Sequence, residues 1–236
     1  MQYDMISADG HVDLIWLPPD LFTANASAQM RDRMPYVEQG PAGPRWVSRT
    51  GAQFGLVNGM GSGGRAYVPG QIHRSDRMAS TGLYDDGKRG VRRLTEPALR
   101  LGDQDLDGVQ AEVLYGVLGS SGRLNDPHAA VEMLRIYNDW LHDFCSASPD
   151  RLIGLANIPS HDMEAAVAEV KNSHFGVRLV SGRCMKCTGS AISWLSRRRS
   201  CHTSERKPGA CTSTRLWTAV SSASGAAVAA CRGGSV

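Results

Sequence analysis

From Glu96 onward the chain alternates short, continuously apolar runs with segments of helical period, and this limits its fold more than any other feature. Pro97 opens a helix predicted over 97–107, which stops at Gly108. A strand is predicted over 111–116. Asp126-Pro127 then sets a capping carboxylate before a proline at the first helical position. Ala130, Met133, Leu134, Tyr137, Leu141 and Phe144 follow on one face of a helical period, and the helix ends near Ser148-Pro149. Residues 152–158 read as a second apolar strand closed by Pro159. Ser160 or Asp162 can cap a helix from Met163 to about Lys171, and 176–180 reads as a further strand. Near the start, Met5 and Ile6 read as the end of a buried strand. Strands apolar on both faces need cover on both sides, which argues for a parallel sheet wrapped by helices. The predicted class is α/β, a partial (β/α)8 TIM barrel comprising about its first half.

In such barrels the chemistry sits at the C-terminal ends of the strands. Asp9 and His11 lie there for the first strand, and Asn157 for the third. Spacing i, i+2 in an extended segment sends both side chains to one side. A carboxylate and an imidazole are ordinary ligands for Zn²⁺, so the pair is a candidate for holding one divalent metal. The plainer alternative has Asp9 starting a turn through Gly10 while His11 packs nearby. Pro18-Pro19-Asp20-Leu21-Phe22 predicts a loop and a short helix, with Asp20 able to cap it. Residues 34–93 are rich in Gly, Pro and Arg without a sustained period; they read as a long excursion with a hairpin around 45–57. Gly59-Met60-Gly61-Ser62-Gly63-Gly64 has the GxGxxG spacing. Pro69-Gly70 interrupts any following helix, so the dinucleotide context is missing and a glycine loop is the better account.

Four blocks then stand in a familiar order: Ile6-Ser7-Ala8-Asp9-Gly10-His11-Val12, the run from Asp105 to Tyr115, Tyr137-Asn138-Asp139-Trp140-Leu141, and the run from Pro149 to Ala156. Together they resemble amidohydrolase family 2, the amidohydrolase-related family that includes aminocarboxymuconate-semialdehyde decarboxylase and related decarboxylases and hydratases. The resemblance covers residues 1 to about 180. It implies a TIM-barrel hydrolase or carboxy-lyase with one divalent metal, commonly zinc, acting on a small carboxylated substrate. It maps the first-strand metal motif onto Asp9 and His11. The family pattern also requires a His from a middle strand and an Asp after the last strand, neither recognisable here, and its members are longer. Two ligands of four are expected to hold metal weakly.

Composition divides the chain at the same point. Residues 1–170 carry 22 acidic and 15 basic side chains; residues 171–236 carry 11 basic ones and a single acid, Glu205. Five of the six cysteines (Cys184, Cys187, Cys201, Cys211, Cys231) also fall in the second part. The chain is therefore expected to comprise a barrel portion, 1–180, and a basic, Cys-rich tail, 181–236. Three readings of the tail stand side by side. Cys184-x-x-Cys187 with Cys201-His202 suits zinc, and Arg197-Arg198-Arg199 suits a nucleic acid, although no knuckle spacing or apolar core accompanies them. The Ser, Gly and Ala content suits a disordered tail. Alternatively the tail is read out of frame. One base later, Met185-Lys186 contains a forced stop; the remaining frame has none, and across 211–215 it allows aliphatic, His, aliphatic, His and a small residue. That string is what the family places at its middle-strand metal site.

No run approaches the ~20 apolar residues of a membrane span, and the start lacks the basic and apolar regions of a signal peptide. A cytoplasmic protein with no membrane partner and no strong case for nucleic acid is expected. A half-barrel leaves sheet edges open, which makes a homodimer the alternative. Tyr115 reads as core or rim and Asn157 as a loop amide with its bonds made. His73, His128, His142, His161 and His174 follow no ligand spacing, with His128 and His142 on a solvated helix face. Cys145 reads as core and Asp103, Asp105 and Asp107 as a solvated acidic run. Arg74 and Arg77 could pair with a carboxylate, though surface arginines are the simpler account.

Overall fold

The computed structural model describes residues 3–117, 119–172, 220–221 and 226–228. In chain order, β1 (Ile6–His11) leads through a 3-10 turn (Leu14–Trp16) to α1 (Leu21–Asn25), then to β2 (Tyr36–Gly40), β3 (Gly43–Val47) and β4 (Gln53–Leu56). The helices α2 (His73–Ser80), α3 (Leu83–Lys88) and α4 (Pro97–Asp107) follow, then β5 (Ala111–Tyr115), α5 (Pro127–Ser146), β6 (Leu152–Gly154), β7 (Asn157–Pro159) and α6 (Met163–Asn172). Two short strands, β8 (Val220–Ser221) and β9 (Ala226–Val228), complete the described elements.

The fold is a mixed α/β arrangement in which β1, β5 and β6 form a parallel sheet in the order β1-β5-β6. Its helical cover follows from the apolar stripe of α5, where Met133, Leu134, Tyr137 and Leu141 are each at most 1% exposed. Burial of a side chain of that size contributes roughly 1.5–3 kcal/mol. Asp126 caps this helix, accepting a bond from the Ala129 N–H at 3.1 Å while its carboxylate also pairs with Arg33. That pairing holds the Asp126 carboxyl below its ordinary range. At α6 it is Asp162 that caps, accepting from the N–H groups of Glu164 and Ala165, each at 3.0 Å. Gly108 takes φ 70° at the end of α4, the left-handed cap its position predicted. Asp20, by contrast, precedes α1 without a side-chain capping bond.

Several expectations change. Met5 and Ile6 do not end a buried strand: Ile6 begins β1, and the two are 53% and 48% exposed. Pairing with β5 continues as far as His11↔Tyr115, so the Asp9-Gly10-His11 stretch lies inside the strand and not in a turn after it. The apolar run 152–158 is two strands. Leu155 N–H still bonds to Leu114 O at 3.0 Å, after which the chain leaves the parallel sheet and β7 pairs antiparallel with β9. The excursion is structured as well: the hairpin foreseen around 45–57 is β3–β4, and β2 extends it to an antiparallel meander. Trp46 and Phe54 of the meander share the core cluster with Val12, Ile15 and Trp16, and Asn58 N–H bonds to Ile15 O at 2.9 Å. The meander is thereby packed beside the segment that leaves the C-terminal end of β1. Residues 176–180 and the Cys-rich tail readings, together with His174, lie outside the described residues.

Candidate functional site

β1 is regular up to Ser7↔Glu112 and resumes at Gly10↔Leu114, so Ala8 and Asp9 together stand opposite Val113. This is a β-bulge, a device that re-aims side chains at the end of a strand. Beyond it Gly10 is buried while Asp9 and His11 are exposed, as alternation requires. The Asp9 Oδ1 and His11 Nε2 atoms lie 3.1 Å apart, with the two side chains 88% and 40% exposed. The His11 ring stacks on Tyr115, its register partner, at 5.9 Å between centroids. Tyr115 is thus a half-buried neighbour of the pair, in keeping with a rim position.

The opposite face of β1 is occupied by charge. A Cβ on Gly10 would fall on the Glu112 side chain, within 2.6 Å of its Cδ and Cγ, so only glycine leaves room for that carboxylate. Glu112 accepts from Arg100 Nε at 2.8 Å, Arg100 Nη2 at 2.6 Å and Gln104 Nε2 at 2.9 Å. Burial acts to raise the Glu112 carboxyl, but the Arg100 fork and the Gln104 amide outweigh it and hold the group below its ordinary range. Arg100 also donates through Nη1 to His11 O at 3.2 Å and to Leu94 O at 2.9 Å. The network therefore reaches the backbone of the exposed pair from beneath. Asp13, two residues further on, is pushed up by burial, against the opposing pull of His11 and Arg100.

The Asp9 and His11 donors suit a divalent ion. Neighbouring ligand atoms on a tetrahedral zinc stand about 3.3–3.6 Å apart, from metal–ligand bonds of about 2.0–2.2 Å; the observed 3.1 Å is shorter and is a hydrogen bond between the two side chains. Among the described residues no group of three or more His, Cys, Asp or Glu side chains is placed to hold a metal. Asp9 and His11 stand as a pair of side chains on the exposed face of β1.

The other candidates separate. Asn157 is 2% exposed, not a loop amide with its bonds made. Its backbone N–H bonds to Asn138 Oδ1 at 2.8 Å and its carbonyl accepts from Asn138 Nδ2 at 2.9 Å, while its own Oδ1 has no partner among the described residues. Asn138 also donates to Glu169 Oε1 at 2.6 Å. In the sequence Asn138 stood only within the Tyr137–Leu141 block, beside the apolar face of α5. Asp103 and Asp105 pair with Arg93 and Arg151, so that acidic run is tied down in part. His73, His128, Arg74 and Arg77 are exposed, whereas His142 is half-buried and Cys145 buried. His161 contacts Pro127 O at 3.2 Å.

No family model and no curated protein matches the chain. Its fold is similar to the solved structure of an amidohydrolase from Mycobacterium avium subsp. paratuberculosis K-10, with a TM-score of 0.50 and 16% identity. The match covers 72% of this chain and 46% of that one, so the chain spans just under half the length of the protein it resembles. At this identity the likeness is one of fold: distant and amidohydrolase-like.

Proposed function

We propose that this chain is the first part of a TIM-barrel hydrolase or carboxy-lyase of the amidohydrolase type, in which Asp9 and His11 are two ligands of one divalent metal, zinc by preference. The observation that carries this reading is that Asp9 and His11 stand side by side on the exposed face of β1, their side chains in hydrogen-bond contact at 3.1 Å. The bulge before Gly10 and the amidohydrolase-like fold support it. When bound, the ion would supply Lewis acidity, either to a water or to the carboxylate of a small substrate. The chain's own residues supply the setting. Asp9 and His11 present a carboxylate and an imidazole on one side of the strand, and the Tyr115 ring stacks on His11.

The test is turnover of a carboxylated aromatic substrate by purified, zinc-reconstituted chain, followed as substrate loss and CO₂ release. Activity that disappears in His11→Ala upholds the reading. A well-folded chain without turnover, and with no loss on that substitution, overturns it. A second reading is favoured by the exposure of Met5 and Ile6 at β1, a sheet edge among the described residues. There the chain is a non-catalytic half-barrel that pairs with a second copy. Light scattering that gives a dimer, together with no zinc-dependent activity, would select it.

No helix among the described residues is long and apolar enough to cross a membrane.

A further inference from the structure

Arg100 and Glu112 are more than a packing device, because both reach the strand that carries the exposed pair. The Glu112 carboxylate lies against Gly10, the residue between Asp9 and His11. Glu112 is also the register partner of Ser7, the last regular position before the bulge. Its side chain therefore supports β1 on the helix side, across the span where Asp9 is re-aimed. Arg100 completes the hold by donating to the carbonyl of His11 at 3.2 Å while it forks onto Glu112 at 2.6 and 2.8 Å. Val12 N–H, bonded to Tyr115 O at 2.9 Å, fixes the far side of the same peptide.

We propose that Arg100 and Glu112 are positioning residues for the Asp9–His11 pair, setting the pitch of β1 so that both donors meet one metal ion. The inference rests on the metal reading above and adds the groups that tune it. The Asp9 and His11 side chains face one ion only if two residues of one short strand keep their directions. The guanidinium plane is what allows one side chain to serve a carboxylate and a carbonyl together; an ammonium is a single point of charge and could not do both in this geometry. Groups that orient metal ligands from behind typically change metal affinity by about 10–100-fold when removed.

The experiment is calorimetric titration of the full chain with zinc chloride at one fixed pH, the site being identified as the binding event lost in His11→Ala. Two variants are compared with wild type. Arg100→Met/Glu112→Met removes both charges while keeping the volume, and Arg100→Lys keeps the charge without the fork. Both are first checked for a cooperative melt. The expected result is a Kd about tenfold or more weaker in the double variant, with Arg100→Lys in between. The visible bands of the cobalt-substituted chain should change in parallel, a readout that fold stability alone would not move. An unchanged Kd and unchanged cobalt bands in either folded variant would overturn the positioning role and leave the metal reading intact. Absence of any His11-dependent zinc binding in wild type would overturn both.

Discussion

Asn138 substitutes for a strand. From α5 its amide pairs with both the N–H and the carbonyl of Asn157, at 2.8 and 2.9 Å, and it also donates to Glu169 at 2.6 Å. Asn138 and Asn157 are each 2% exposed, so water cannot readily replace these bonds. Asn138→Ala leaves a buried donor and a buried acceptor without this partner, at roughly 1–3 kcal/mol each. Partial relaxation favours the lower half of the sum, so a loss of about 3 kcal/mol is expected. Urea denaturation followed by tryptophan fluorescence should show it as a midpoint lowered by about 1–2 M at unchanged slope. Asn138→Asp separates the two roles: it keeps the acceptor for Asn157 N–H but places a second carboxylate beside Glu169. Burial already raises the Glu169 carboxyl, and the Asn138 bond acts to lower it. The Asp variant should therefore lose more stability at pH 7 than at pH 4. An Asn138→Ala variant within about 0.5 kcal/mol of wild type would refute the reasoning.

The buried charges give a pH-dependent counterpart. Glu112 is held below its ordinary value of 4.5, so its contribution is present at neutral pH and is lost as pH falls below that value through the lowered folded one. Equilibrium unfolding between pH 6 and pH 2 should show this loss in wild type and not in Arg100→Met/Glu112→Met. Tyr137 is fully buried and its hydroxyl has no partner among the described residues. Tyr137→Phe should therefore leave the melting temperature unchanged or raise it, by up to about 1 kcal/mol in stability, and a clear fall would contradict that geometry. Gly10→Ala drives a methyl group into Glu112; a loss of about 1–3 kcal/mol is expected, with weaker zinc binding, and a neutral substitution would show that the strand does not need glycine there.

What the sequence disclosed divides along physical lines. The parallel order of the sheet was legible because strands covered on both faces are near-continuously apolar, and the run over 111–116 is so apart from Glu112. The shared side of Asp9 and His11 followed from the period of an extended chain. The register of β1 did not, because a bulge adds a residue through backbone pairing, and no side chain between Ser7 and Gly10 announces it. Met5 and Ile6 misled for a related reason: apolar identity predicts burial only where a neighbour exists to cover it, and β1 is a sheet edge among the described residues. The run 152–158 carries one apolar signature across two strands, since hydrophobicity is blind to the change from parallel to antiparallel pairing. Of the meander only β2 escaped, because it is half-buried and ends at glycine, whereas β3–β4 was foreseen as a hairpin. Glu112 and Arg100 were hidden as an acid and a base in separate elements, twelve positions apart, whose pairing is a property of the packed layers.

The most direct test of the account is a crystal of the zinc-soaked chain measured on both sides of the zinc absorption edge. The account predicts an anomalous peak about 2.0–2.2 Å from both Asp9 Oδ1 and His11 Nε2, absent in crystals of His11→Ala. A zinc peak elsewhere, at the cysteines of the tail for example, with none beside Asp9 and His11, would contradict it.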